Sequence, residues 1–516
     1  MTDAIVIGAG HNGLVCAAYL ARAGKRVLIV EANDTAGGGA ANREFAGGFQ
    51  VSGLAHILHS LHPRVIKELG LDNAGLKPGT SIDTISLDTS GRHLTLGRDA
   101  VSGDDLSAED SAAYREFKRE FRAYAAALEP LTMNKPPRLK DMDFSDKVTL
   151  AKLGWKLRFG LGADSMSEFL RVGGINIYDV LNDGFDDERL KGAISVDAVL
   201  GQHMGPRTPT TVLTYLNHIR GENYGAPTLP AGGMGQVSQA LATAAAHAGV
   251  ELRTGTQVSE ILVSDGHATG VRLDTGETLE AGLVISNADA KNTFLKLVDS
   301  AELDAMFVHR VNNTRTHGNV AKLHLALDGL PRITGLTEQQ LGQRLLVAPD
   351  MRYVEHAFNH AKYGEYSERP VLEITIPSIA DPSLAPEGKH VMSVSASFAP
   401  YQLKAGWESA RETFADRIVA LIGEYADGFA TQVLNRELLT PVDIEQQYHV
   451  TGGHWHHGEL ALDQLFMMRP VHGSAQYDTP VDGLFLCGAS AHPGGGVTGI
   501  PGYNAARRIL SLDGDG

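Results

Sequence analysis

Short runs of continuous apolar residues alternate along this chain with stretches whose apolar positions recur every three or four residues. These two periods separate buried strands from amphipathic helices. Ala4–Ile7 is the first apolar run, and it leads through Gly8-Ala-Gly10-His11-Asn12-Gly13 into a helical pattern with Leu14, Ala17, Ala18 and Ala21 on one side. Gly24 ends that helix, Val27–Val30 form a second apolar run, and Glu31 stands at its end. Strand, helix and strand in this order make a β-α-β unit. Residues 112–131 place Tyr114, Phe117, Phe121 and Tyr124 at helical intervals, and residues 150–161 and 166–170 are shorter amphipathic pieces. A helix over 237–248, stopped by Gly249, precedes strands at 250–253, 258–263, 270–273 and 283–286, with turns at Asp265-Gly266 and Asp274-Thr275-Gly276.

Residues 317–400 read as extended, with runs at 320–327, 371–377 and 391–398. This is the pattern of a mixed or antiparallel sheet, before a helical period returns over 411–429. A last strand at 481–487 opens into a glycine cluster. The pattern predicts an α/β fold: a Rossmann-like nucleotide domain assembled from discontinuous segments, and an α+β substrate domain with a mixed sheet and helices. The nucleotide domain is expected at 1–75, 221–300 and 451–516, the last segment closing on the cofactor. A largely helical substrate-domain segment is expected at 76–220, and the part with the mixed sheet at 301–450.

At 516 residues the chain is long enough for two or three domains, and 43% hydrophobic with 21% charged residues is ordinary for a globular protein. A net charge of -16 disfavours nucleic acid as a partner. Cys16 and Cys487 are the only cysteines, so there is no disulfide framework and a reduced, cytoplasmic setting is expected. No basic n-region precedes an apolar core at the start, and no run reaches the length of a membrane span. One stretch departs from the acidic background: Lys147, Lys152, Lys156 and Arg158 are interleaved with Leu150, Leu153, Trp155 and Phe159. It reads either as an ordinary helix of the second domain or as a helix resting on a membrane surface, hence an expectation of peripheral membrane contact.

The chemistry of the N-terminal unit follows from its spacing. Gly8 allows the tight turn, Gly10 lets backbone approach a pyrophosphate, Gly13 lets helix and strand pack, and the helix N-terminus offers free N–H groups to phosphate. Glu31 can accept from both ribose hydroxyls and would repel a 2′-phosphate. A second glycine turn follows at Gly37-Gly38-Gly39-Ala-Ala-Asn42-Arg43. It resembles the extension of glutathione-reductase-like and amine-oxidase-like flavoproteins, in which Arg43 would face the pyrophosphate; the other reading is a loop with a surface arginine. At the far end, Gly488-Ala489-Ser490-Ala491-His492-Pro493 runs into Gly494-Gly495-Gly496-Val497, which allows close approach to a flat ring. A helix starting near Gly499 would favour negative charge on a reduced flavin.

The expected cofactor contacts are Gly8, Gly10, His11, Asn12, Gly13, Glu31, Ala32, Gly38, Gly39, Arg43, Val258, Gly488, Ala489, Gly495, Gly496 and Val497. The densest ionisable cluster is Gly452-Gly453-His454-Trp455-His456-His457-Gly458-Glu459. His457, Glu459 and His454 are candidate catalytic residues, with Glu459 orienting His457; the alternatives are a domain junction, cofactor contact by these groups or by His492, and a metal site whose spacing matches no zinc signature. His56, His59 and His62, every third residue, could share a helical face as a metal site, or line the core or a substrate channel. No metal is expected.

Nearly the whole chain resembles the phytoene desaturase-like flavoproteins of the amine-oxidase-like superfamily. The signatures are VIGAGHNGLVCAAYLARAGKRVLIVEA, LPAGGMGQVSQALA, VISNADA, GGHWHHGELALDQLFMMRP and LFLCGASAHPGGGVTGIPGYNAARRIL, and they point within the superfamily to the branch of pyridine nucleotide-disulfide oxidoreductase domain-containing protein 2. The resemblance implies non-covalent FAD, a role for Val258 at the adenine, and a substrate domain often associated with lipids. No Cys-x-x-Cys pair supports disulfide chemistry. The expected reaction is dehydrogenation of a small hydrophobic polyene or lipid-like molecule by hydride transfer to flavin N5, with His457 handling a proton. The electron acceptor would be oxygen, a quinone or another protein, and a dimer is compatible. The alternatives are an amine or alcohol oxidase, an isomerase, and a non-catalytic flavin-containing interaction protein.

Overall fold

The structure, a computed structural model, describes residues 2–513. Five parallel strands form the nucleotide sheet: β1 (Ala4–Ile7), β2 (Val27–Val30), β3 (Glu251–Arg253), β4 (Leu283–Ser286) and β5 (Leu484–Leu486), in the order β3-β2-β1-β4-β5. Ala4 pairs with Val27 on one side and Leu283 on the other. Every residue of β1 and β2 is buried, which is why these strands read as unbroken apolar runs rather than alternations. Helix α1 (His11–Arg22) follows β1 and packs against α2 (Gly233–His247) and α3 (Ile500–Asp513). The sheet therefore joins segments from both ends and the middle of the chain.

The approach of α1 and α3 depends on one missing side chain. A Cβ placed on Gly502 would lie 2.1 Å from the carbonyl oxygen of Asn12 in α1. With glycine there, the last helix lies directly on the backbone of the first.

The second, eight-stranded sheet is mixed. Its order is Val433–Leu439, Val320–Leu327, His390–Ser397, Val371–Thr375, Arg344–Val347, Thr84–Ser86, Leu94–Leu96 and Val101–Ser102. All its neighbours are antiparallel except Arg344–Val347 with Thr84–Ser86. Its three central long strands are buried throughout, apart from the partly exposed His390. A helical layer covers it, with Tyr114, Phe117, Phe121, Tyr215 and Phe358 in a common apolar cluster. The chain thus has an α/β nucleotide domain and an α+β substrate domain.

Several element boundaries differ from the periodic reading for local reasons. The aromatic helix spans Ala108–Ala127, capped by the Ser107 hydroxyl accepting from the Asp110 N–H at 2.9 Å. It gives way to a one-turn helix at Glu129–Thr132 because Pro130 has no N–H to continue the ladder. The basic helix starts earlier than its apolar pattern, at Phe144, where Asp143 and Asp146 form a reciprocal cap, and it runs through Trp155 into a wider turn over Lys156–Gly160. The tract holding His56, His59 and His62 is not helical. Leu58 exchanges N–H···O bonds with Thr228, both 2.9 Å, and holds the segment extended, so the histidines share no helical face.

Gly502→Ala should force α1 and α3 apart, with a loss of about 2 kcal/mol in urea unfolding and faster FAD release. Unaltered values for both would show that the contact is not needed.

Candidate functional site

A cavity of about 710 Å³ runs from the nucleotide sheet into the substrate domain. Its first wall is the β1–α1 turn and the end of β2: Gly8, Gly10, His11, Asn12, Glu31 and Ala32 all line it. Gly38, Gly39, Val258, Ala489, Gly495, Gly496 and Val497 line it as well, so one cavity touches both glycine clusters. Gly13 and Gly488 stand behind the wall, against the carbonyls of Gly8 and Asn287. Asn287 and Ala288, at the end of β4, also line it; both fall within the signature VISNADA, although neither is among the expected cofactor contacts.

The ends of the chain meet directly. The His11 ring bonds the Gly496 carbonyl through Nε2 at 3.0 Å. Burial pushes the His11 pKa down to about 4, so near pH 7 the ring is neutral and, with the proton on Nε2, donates this bond. The Glu31 carboxylate accepts from the N–H of Ala9 (2.6 Å) and of Asn33 (2.9 Å), which fixes it at the cavity wall with lone pairs left for hydroxyl donors. A Cβ on Gly495 would lie 2.2 Å from Nδ1 of His456, so glycine alone fits between that ring and the cavity. The bare backbone, the N-terminus of α1 and the fixed carboxylate suit FAD, with phosphate at the helix end and ribose at Glu31.

Arg43 does not face this wall. It lies on the strand Asn42–Ala46 and forms a two-pronged ion pair with Glu437 of the substrate-domain sheet. On this wall the β1–α1 turn therefore presents backbone N–H groups without an arginine from this strand. His492 is also turned away, its Nε2 2.8 Å from the Leu131 carbonyl.

The histidine loop is held by a residue that the pattern did not single out. Arg469 is fully enclosed and donates to five backbone carbonyls: Ala489 (3.1 and 2.7 Å), Glu459 (3.0 Å), Gln464 (3.2 Å), His456 (2.6 Å) and Gly458 (3.4 Å). Burial pulls its guanidinium down to about 9. The fork thereby ties the loop to the turn that carries Ala489. His456 and His457 line the cavity, and His454 does not. His457 has φ of +58°, and burial lowers its pKa. Glu459 does not orient His457, because its carboxylate is taken by Arg315 at 2.7 Å, with His317 at 3.6 Å. The loop is thus a junction with two neutral imidazoles at the cavity, not a His–Glu pair.

The far wall carries ions. Arg344 bonds Glu373 through Nε at 2.6 Å and approaches Asp197 at 2.7 Å. Glu373 also accepts from His56 at 2.7 Å, and the Lys322 ammonium donates to His56 Nδ1 at 2.8 Å and to Ser395 at 3.1 Å. Burial brings Lys322 down to about 7 and His56 to about 4. His59 stacks on His218 with ring centroids 4.9 Å apart. Arg220 differs from the others: it is 4% exposed, lines the cavity, and has no side-chain hydrogen bond or ion pair among the described residues. Cys16 and Cys487 are buried and free, and burial with the neighbouring Cys16 thiol raises Cys487 well above its usual range.

The model of the family "Flavin containing amine oxidoreductase" matches residues 13–510. The chain is 35% identical to pyridine nucleotide-disulfide oxidoreductase domain-containing protein 2 of Mus musculus, over 98% of this chain and 93% of that protein. It is 28% identical to a limonene dehydrogenase component of Castellaniella defragrans (98% and 94% covered) and 27% identical to a neurosporene-forming phytoene desaturase of Rhodobacter capsulatus (97% and 92% covered). A crystal structure of an oxidoreductase from Methanosarcina mazei superposes with a TM-score of 0.62 at 20% identity, covering 99% of this chain and all of that one.

Arg469→Gln should cost about 3 kcal/mol, because a buried cation and its carbonyl partners lose one another. Urea unfolding of the FAD-loaded protein measures it, with Arg469→Lys restoring only part; an unmoved midpoint contradicts the clamp. The histidines give a second expectation. His11, His56 and His59 all have folded pKa values below the unfolded 6.5, near 4, 4 and 3. Below 6.5 the unfolded chain binds more protons, so the stability these groups confer is complete above pH 6.5 and drains away as the pH falls toward 4. Urea midpoints across that window should fall with acidity, and a flat profile would contradict it.

Proposed function

The chain belongs to the flavin containing amine oxidoreductase family, as an FAD-dependent oxidoreductase, and from that premise we propose that it dehydrogenates a C–H bond of a largely apolar molecule bearing an anionic group. The observation that carries this reading is Arg220, a buried cation at the cavity with no hydrogen bond or ion pair of its own among the described residues, the Glu129 carboxylate feeling its charge only from a distance. An unpaired guanidinium in a low-dielectric wall attracts a carboxylate or similar anion and repels an ammonium, so it disfavours a protonated amine as substrate. Two other cavity cations are matched, Arg344 by Asp197 and Glu373, and Lys118 by Glu222, whereas Asp83, Arg98 and Lys296 line the cavity as exposed side chains without an ion pair among the described residues. Ile57, Ile82, Leu96, Ile194 and Tyr215 supply the apolar lining.

When bound, FAD supplies a two-electron acceptor for a C–H bond. The chain's own contribution is to bind, orient and keep dry. His456 and His457 present neutral rings to the cavity; His456, held near 3 by burial, is too weak a base to keep a proton, and His457 is the ring assigned to take up the proton that dehydrogenation releases. Lys322, His56 and Glu373 form a hydrogen-bonded row that fixes His56 and Glu373 in the wall. The limonene dehydrogenase component and the phytoene desaturase among the relatives bear names of dehydrogenation at carbon, which is consistent with this class.

The test is anaerobic mixing of the FAD-loaded protein with an isoprenoid acid, its methyl ester and the matching amine, read as flavin bleaching and ligand-induced spectral shift. The acid should bind tightest. Arg220→Gln should weaken the acid roughly tenfold to a hundredfold, the worth of a charge-assisted hydrogen bond, and leave the ester unchanged. Bleaching by the amine alone would overturn the reading.

A further inference from the structure

We propose that the helix Phe144–Trp155 and the turn after it form a docking face for an anionic lipid bilayer. This rests on surface residues alone and stands whether or not the substrate assignment above holds. An ordinary surface helix hides its apolar stripe and shows its polar one. Here the inward side holds the buried Asp146 and Thr149, while Phe144 and Trp155 face outward, 82% and 66% exposed. The two aromatics are about three turns apart, on the same side of the helix. Phe159, 64% exposed, packs its ring 4.5 Å from that of Trp155, and Leu139 in the preceding loop is 67% exposed. Large apolar side chains gathered this way mark an interaction surface rather than scattered exposure.

Charge selects the partner. Residues 138–160 carry six basic residues against Asp141, Asp143 and Asp146, within a chain of net charge -16. Lys140, Lys147, Lys152 and Arg158 have no ion-pair partner among the described residues, although acidic side chains abound elsewhere. Protein–protein contacts are depleted in lysine at their centres, and a second copy of this face would bring like charges together. A bilayer with anionic headgroups accommodates both features: Trp and Phe enter the interface, and the lysines extend along their stems to phosphate. No described helix is long and apolar enough to cross a membrane, so the contact is peripheral.

Flotation of the FAD-loaded full chain with phosphatidylcholine vesicles, with and without phosphatidylglycerol, tests this. The protein should float with the anionic vesicles, roughly tenfold less with the neutral ones, and less in high salt. A Trp155→Ser/Phe159→Ser variant should lower the bound fraction roughly tenfold, and Lys147→Glu/Lys152→Glu should abolish the preference for anionic lipid, with flavin spectrum and circular dichroism unchanged. Failure to float with either vesicle overturns the proposal, as does equal flotation of the variants. A concentration-dependent dimer that Trp155→Ser/Phe159→Ser abolishes, without vesicle binding, would assign the face to a second copy and also overturn it.

Discussion

The architecture depends on one buried guanidinium. Arg469 sits where the histidine loop meets the last turn of the nucleotide domain, and its donors are spent on backbone carbonyls rather than on a carboxylate. That choice matters physically. A buried ion pair can be replaced by apolar residues with little loss, but a cation that saturates several carbonyls fixes the paths of the segments that carry them. The cavity wall at Ala489 and Gly495 is positioned by this fork and by the His11 bond to Gly496, and neither uses a side chain with freedom to swing.

The two walls of the cavity use electrostatics in opposite ways. The nucleotide side offers helix-end N–H groups, neutral imidazole and one carboxylate clamped by backbone donors. The substrate side is built from full charges that neutralise one another, Arg344 against Glu373 and Asp197, with the neutral His56 ring donating to Glu373. Within such a wall Arg220 stands out as a buried cation without a hydrogen bond or ion pair among the described residues. Neutral histidines between the walls add polar ring atoms without adding charge.

Legibility in the sequence followed the range of the interactions. The N-terminal unit could be read because strand, glycine turn, helix and Glu31 are all local, and their periods and spacing carry the chemistry. The closing glycine cluster could be read for the same reason. Arg43 could not, because Glu437, its partner, comes from a strand of the other sheet, and a neighbouring glycine turn says nothing about that pairing. Glu459 sits two residues from His457, yet Arg315 and His317 claim it. Arg469 falls inside the signature GGHWHHGELALDQLFMMRP, but nothing local marks it as a clamp, since its partners are main-chain oxygens that any residue supplies. The histidines of the 53–62 tract followed an apparent helical interval, but bridging to Thr228 removed the helix on which that interval depended.

The strand order has a consequence for biosynthesis. β1 lies at the centre of its sheet, β4 beside it comes from the middle of the chain, and β5, the next in order, comes from residues 484–486. A ribosome therefore exposes the β1–α1 turn long before the strands and helix that complete it exist. The nascent half-sheet must wait with an open, fully apolar edge, the condition under which chains aggregate. A wall that needs both glycine clusters is complete only once the last strand and helix have been made.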